Sequence, residues 1–149
     1  MIDAHRIAPK LWMGSRPSPA ACKVFDVIVL AAEEHQPDLP DVHVVRAPID
    51  DAKPTPREVE LALRAAKVVN LQRRKGRRVL VSCYMGVNRS GLVTALALML
   101  NGSSAQSAIR RIRAARKVDG YTPLSNPHFV ALLKHLEPVL EERHARGVV

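Results

Sequence analysis

The chain is short of several things, and each shortage excludes something. Only two cysteines, Cys22 and Cys83, occur in 149 residues. A sparse pair rules out a disulfide scaffold and fits a reducing compartment, with Cys22 read as an inert thiol. Aromatic residues make up 3% of the chain, too few for an interleaved platform on which bases stack, which weakens single-stranded nucleic acid as a partner. The longest apolar run, GLVTALALML, is about half of what a bilayer-spanning helix needs, so no membrane insertion is expected. The opening MIDAHRIAPK lacks the basic-then-apolar pattern of a secretory signal, and a cytoplasmic protein is expected. The six histidines show no metal-ligand spacing, and neither a metal nor a cofactor is implied.

Acidic charge is scarce in one part only. Residues 1–51 carry five basic and eight acidic groups, net −3, whereas residues 52–149 carry eighteen and six, net +12. The C-terminal two thirds therefore sets up a positive field that attracts phosphoesters and other anions.

A length of 149 residues suits one domain, 1–149, with a real core. RIAPKLWMGS reads as one short strand turning at Gly14, and VFDVIVLAA (24–32) and VHVVRAPI as buried strands. Thr55, Pro56 and Glu58 form a capping-box start to a helix whose inward face is Val59, Ala62, Leu63, Ala66 and Val69. VLVSC has the unbroken apolar character of a central strand covered on both faces. Three more helices follow. The one from about Ser90 to Asn101 is apolar nearly all round, and the others cover SSAQSAIRRIRAARK and roughly 126–143. Strands alternating with helices predict a single-domain α/β fold with a central mixed, mostly parallel sheet flanked by helices.

The chemistry concentrates in VLVSCYMGVNRSG, 79–91. Cys83 stands at the carboxyl end of a central strand, where α/β sheets place ligands. The loop that follows can turn successive N–H groups toward one centre, and the N-terminus of the next helix adds partial positive charge there. Gly86 permits a tight curl, and the planar fork of Arg89 matches phosphate oxygens. Such a ring of donors favours thiolate over thiol, and a thiolate facing a bound phosphate is a nucleophile for phosphoryl transfer. Ser90 can donate a hydrogen bond to the sulfur as it departs.

CYMGVNRSG resembles the Cys-x5-Arg-[Ser/Thr] signature of the protein tyrosine phosphatases, specifically the small dual-specificity phosphatases. LWMGSRPSPA resembles that family's opening strand and turn, PIDD its general-acid loop, and SSAQSAIRRIRAARK and NPHFVALLKHLE its last two helices. The resemblance covers nearly the whole chain. It implies a tyrosine-phosphatase-like fold, Cys83 as nucleophile, Arg89 as phosphate clamp and Ser90 as helper of the leaving thiolate. The main-chain amides of Tyr84, Met85, Gly86, Val87, Asn88 and Arg89 would line the phosphate site. Asp51 is implied as general acid, with Asp50 next to it as the other candidate. The implied substrates are phosphotyrosine and phosphoserine or phosphothreonine in proteins. RNA is the second candidate partner, because relatives with RNA 5′-triphosphatase activity often carry Gly-x-Asn-Arg, as GVNR does here. The chain departs from the family at Ser82, where histidine usually precedes the nucleophile. That motivates a third reading, a weakly active or non-catalytic phosphate-binding module. Two lesser features are Arg110, Arg113 and Lys117 along one helix side, read first as a solvated face, and Asn126, which can reach the phosphate site and help hold water.

Overall fold

A computed structural model describes residues 2–147. Its sheet has five strands: β1 (Ala4–Ala8), β2 (Leu11–Gly14), β3 (Val27–Ala32), β4 (His43–Ile49) and β5 (Val79–Ser82). They lie in the order β1-β2-β5-β3-β4. Strands β2, β5, β3 and β4 pair in parallel, and only β1 is antiparallel to its neighbour. The mixed, mostly parallel sheet is thus as expected. Strand β5 is central, and all four of its residues are buried, in keeping with its unbroken apolar run.

The period of two along these strands divides the core. Val27, Val29, Val79, Val81, Leu11 and Met13 face a large cluster shared with the helices α2 (Pro56–Arg74), α3 (Arg89–Leu100), α4 (Ala105–Lys117) and α5 (Pro127–Ala145). Ile28, Leu30 and Leu80 face the other side, where Ala21 of the short helix α1 (Pro19–Val24) and Phe25 cover them. The expected capping box of α2 is present: Thr55 Oγ1 accepts from Glu58 N, and Glu58 Oε1 accepts from Thr55 N. The inward face of α2 centres on Ala62, Ala65, Ala66 and Val69, with Val59 and Leu63 at its margin. Helix α3 is buried along all twelve residues, as its composition requires.

Two sequence expectations need correction. RIAPKLWMGS is not one strand but the hairpin β1–β2, reversing at Pro9 and Lys10. Proline has no N–H to pair, and Lys10 takes a left-handed conformation (φ 62°), so the strand cannot run through. The strand assigned to 24–32 begins only at Val27. Val24 closes α1, and the Asp26 carboxylate accepts from Arg78 N (2.7 Å), pinning the start of β3 beside β5.

Candidate active site

The loop between β5 and α3 sorts its own hydrogen bonds. Each carbonyl from Tyr84 to Asn88 is used. Tyr84 O accepts from Arg16 N (3.3 Å), Val87 O from Leu124 N (3.1 Å) and Asn88 O from Leu92 N (2.8 Å). Met85 O and Gly86 O accept from Arg116 Nη2 (3.1 Å) and Nε (3.0 Å). The N–H groups of Tyr84, Met85, Gly86, Val87 and Asn88 find no acceptor among the described residues. Backbone donors rarely go unanswered, so the loop is left with a surplus of donors suited to an anion. Gly86 makes the curl possible. Its φ is +68°, and a Cβ there would lie 2.4 Å from Arg116 Nη2 and 2.5 Å from Gly14 C.

Cys83 sits at the floor, 3% exposed, with Sγ 3.1 Å from Ser90 Oγ in the first turn of α3. Asn88 precedes that helix but makes no side-chain cap, so the first amides of α3 are also left open. Its side chain instead reaches outward: Nδ2 donates to Asp51 Oδ2 (3.0 Å), and Oδ1 accepts from Asn126 N (3.0 Å). Asn126 Nδ2 donates to Asp51 Oδ1 (2.9 Å) and to Ala52 O (3.1 Å), while its Oδ1 caps α5 through His128 N (2.9 Å). The expected reach of Asn126 toward the site is therefore met, at the Asp51 carboxylate. Asp50 has no such side-chain partner among the described residues. Its N donates to Glu58 Oε2 (2.7 Å), and it borders a recess with Glu33, Thr55 and Arg57 at the start of α2.

Arg89 lies with its side chain 8% exposed. Its fork pairs with both oxygens of Glu34, Nη2 to Oε2 at 2.9 Å, and Nη1 also donates to Ile49 O (3.3 Å). Burial works against the charge of Arg89, but the Glu34 hydrogen bonds and the nearby Cys83 outweigh it and raise its pKa. Hydrogen bonding from Arg89 holds the Glu34 carboxyl below its ordinary range.

Beneath the loop lies Arg116, fully buried. It binds Asp3 Oδ1 (2.9 Å) and His5 Nδ1 (3.0 Å), and its guanidinium carbon lies 4.1 Å from the centre of the Tyr121 ring. Burial raises the pKa of Asp3, yet hydrogen bonds from Arg116, Ser15 and Tyr121 bring it below the usual carboxylate value. Asp3, His5 and Asp119 bring candidate metal-ligand atoms within 4.8 Å of one another. The guanidinium already bound to Asp3 and His5 makes this an ion-pair network and repels a second cation.

Ser82 does not address the thiol. Its hydroxyl is buried and donates to Val29 O on β3 (2.9 Å). At the rim, Tyr84 and Met85 are exposed, and Arg16 stacks on the Tyr84 ring with its carbon 4.1 Å from the centre.

Neither Arg116 nor Glu34 stands out as a site residue from the sequence. Arg116 had a signal: it falls four residues after Ile112, on the inward side of α4, where an arginine must find buried partners. Glu34 follows β3, the strand beside β5.

No protein-family model matches the chain, and no curated protein sequence matches it. Solved structures do. Tk-PTP in its active form is 26% identical, with a TM-score of 0.77 over 91% of this chain and 97% of that one. Human DUSP28 is 26% identical, with a TM-score of 0.79 over 93% and 95%. A mouse putative dual specificity phosphatase, solved as a complex with zinc tungstate, is 26% identical, with a TM-score of 0.77 over 96% and 91%. The chain is a phosphatase of the protein tyrosine phosphatase superfamily. The likeness to these superfamily members covers 91–96% of the chain. No helix among the described residues of this phosphatase is long and apolar enough to cross a membrane.

Proposed function

We propose that the chain removes phosphate from phosphotyrosine, and from phosphoserine and phosphothreonine, in proteins, with Cys83 as nucleophile. The observation that carries this reading is the divided loop: carbonyls spent, amides free, a sulfur at the floor and a carboxylate tied to its last residue. In the first step the Cys83 thiolate attacks phosphorus in line, an S–P bond forms and the ester P–O bond breaks. Asp51 gives its proton to the leaving oxygen. The amides of residues 84–89 and the Arg89 fork take the charge of the equatorial oxygens. In the second step Asp51 takes a proton from water as the water attacks phosphorus. The S–P bond breaks, the Ser90 hydroxyl hydrogen-bonds the departing thiolate, and inorganic phosphate leaves.

Asp51 fits the acid role better than Asp50, because two amide side chains hold its carboxylate beside the loop. An anchored acid also favours phosphomonoester hydrolysis over RNA 5′-triphosphatase activity, which need not use one. The exposed rim residues Tyr84 and Met85 suit a shallow site open to short as well as aromatic phosphoresidues.

The test is steady-state hydrolysis of aryl phosphates. Cys83→Ser loses activity by at least about 1000-fold. Asp51→Asn loses more as the leaving group becomes more basic, while a triphosphatase would keep its activity on RNA 5′ ends. Full activity in Cys83→Ser sinks the reading, and a wild type that hydrolyses no aryl phosphate leaves a phosphate-binding module.

A further inference from the structure

A groove of about 920 Å³ lies between α4 and α5, away from Cys83, walled by Arg110, Arg113 and Lys117 on one side and by Val130, Lys134 and Glu137 on the other. A recess of about 370 Å³ continues from Arg113 and Lys117 past Tyr121 to Ser125. Ser125 Oγ donates to Asn88 Oδ1 (3.4 Å), and Asn88 ends the phosphate loop. The groove therefore runs to the edge of the active site.

Its charge is one-sided. Arg110, Lys117 and Lys134 are exposed and join no salt bridge among the described residues. The groove's carboxylate, Glu137, is already committed: it accepts from Ala105 N at the start of α4 (2.5 Å). Arg113 donates to Pro123 O (3.2 Å) and Leu124 O (2.9 Å), which fixes the wall rather than filling it. Between the cations, Ile109 and Val130 give the groove an apolar component.

We propose that this groove binds an acidic segment of the protein substrate, a few residues away from the phosphorylated side chain. The proposal rests on the phosphatase reading above and names its substrate class. Arg110 and Lys117 are two helical turns apart, about 10 Å, a span that about three extended residues cover. Carboxylates along such a segment meet the cations, and an apolar side chain between them meets Ile109 and Val130. An RNA strand fits less well. Tyr121 is the aromatic residue bordering the path, and one face of its ring is already taken by Arg116, so successive bases have nothing to stack on.

The experiment compares wild type with the triple variant Arg110→Gln, Lys117→Gln, Lys134→Gln on three substrates: an aryl phosphate, a phosphotyrosyl peptide with an Asp/Glu-rich flank, and the same peptide with alanines there. Fluorescence anisotropy of a labelled, unphosphorylated acidic peptide measures the groove without turnover. In the variant, kcat/KM for the aryl phosphate stays within about twofold, and KM for the acidic peptide rises about tenfold to meet that of the alanine peptide, with kcat kept. Anisotropy affinity falls in parallel, and salt weakens binding to wild type far more than to the variant. Equal KM values for the two peptides with wild type overturn the proposal, as does an acidic preference that survives in the variant. A single-stranded oligoribonucleotide of equal charge that displaces the peptide at lower concentration overturns it in favour of RNA. If the aryl phosphate is not turned over, the phosphatase reading falls, and anisotropy still decides whether the groove takes an acidic segment.

Discussion

Two buried arginines lie beside one loop, and they are held differently. Arg116 is fully buried beneath it and spends its donors on Gly86 O, Met85 O, Asp3 and His5. Arg89 lies at the mouth, against a carboxylate whose side chain is 52% exposed. The guanidinium below has only backbone and fixed side chains to satisfy it, so it shapes the loop. The one above has a partner that solvent can reach and that a more tightly bound anion can replace. Similar burial of the two cations thus conceals different work: Arg116 keeps two carbonyls turned toward itself, and Arg89 is the one that, on the proposed reading, an anion recruits.

Arg89→Lys gives the sharpest test of this contrast. A point charge cannot reproduce the planar fork, so kcat/KM for an aryl phosphate drops at least about 100-fold, while the denaturant midpoint barely moves. Arg116→Met does the reverse. It strands Asp3 and two loop carbonyls, costs roughly 3 kcal/mol in urea unfolding, and lowers activity through a loosened loop. If Arg116→Met kept full stability and lost activity alone, the assignment of the two roles would be reversed. Ser82→Ala is a smaller probe. It removes one buried hydrogen bond, about 1 kcal/mol, and leaves turnover within about twofold, because that hydroxyl addresses Val29 O rather than the thiol.

Acid supplies the gentlest comparison. Asp3 and Glu34 both have folded pKa values below their ordinary 3.8 and 4.5. The stability each contributes is complete above those values and is lost as pH falls through the depressed ones. Unfolding midpoints measured downward from about pH 5 decline in wild type. The part due to Asp3 disappears in Arg116→Met, and the part due to Glu34 disappears in Glu34→Gln. A decline of unchanged size in both variants would show that neither pair couples to folding.

What could be read from the chain follows from distance along it. Cys83, Arg89 and Ser90 lie within eight residues, between an apolar strand and an apolar helix, so local pattern is enough to single them out as candidates. Arg116 lies 30 residues from Gly86, Glu34 lies 55 from Arg89 and Asn126 lies 75 from Asp51. No local rule joins such pairs. Arg116 was further disguised by Arg110, Arg111 and Arg113, which make its helix look like a solvated basic face. The hairpin was missed for a different reason. Lys10 takes a backbone conformation that usually announces itself with glycine, so the apolar pattern ran on across the turn. The resemblance favours Asp51 over Asp50 as acid, and the proposal now also rests on Asn88 and Asn126 reaching the Asp51 carboxylate, contacts that no local pattern announces.

Helix α3 carries Arg89 and Ser90 on a segment with no exposed residue. Such a helix has no private way to open. Beyond its open first turn, its amides exchange hydrogen with solvent only when the domain unfolds as a whole, whereas those around the exposed residues 50–53 can exchange through small local excursions. Arg89, the proposed phosphate clamp, thus rides on a segment as durable as the fold, whereas Asp51, the proposed proton donor, keeps its place through the side-chain amides of Asn88 and Asn126 rather than through its own stretch of backbone.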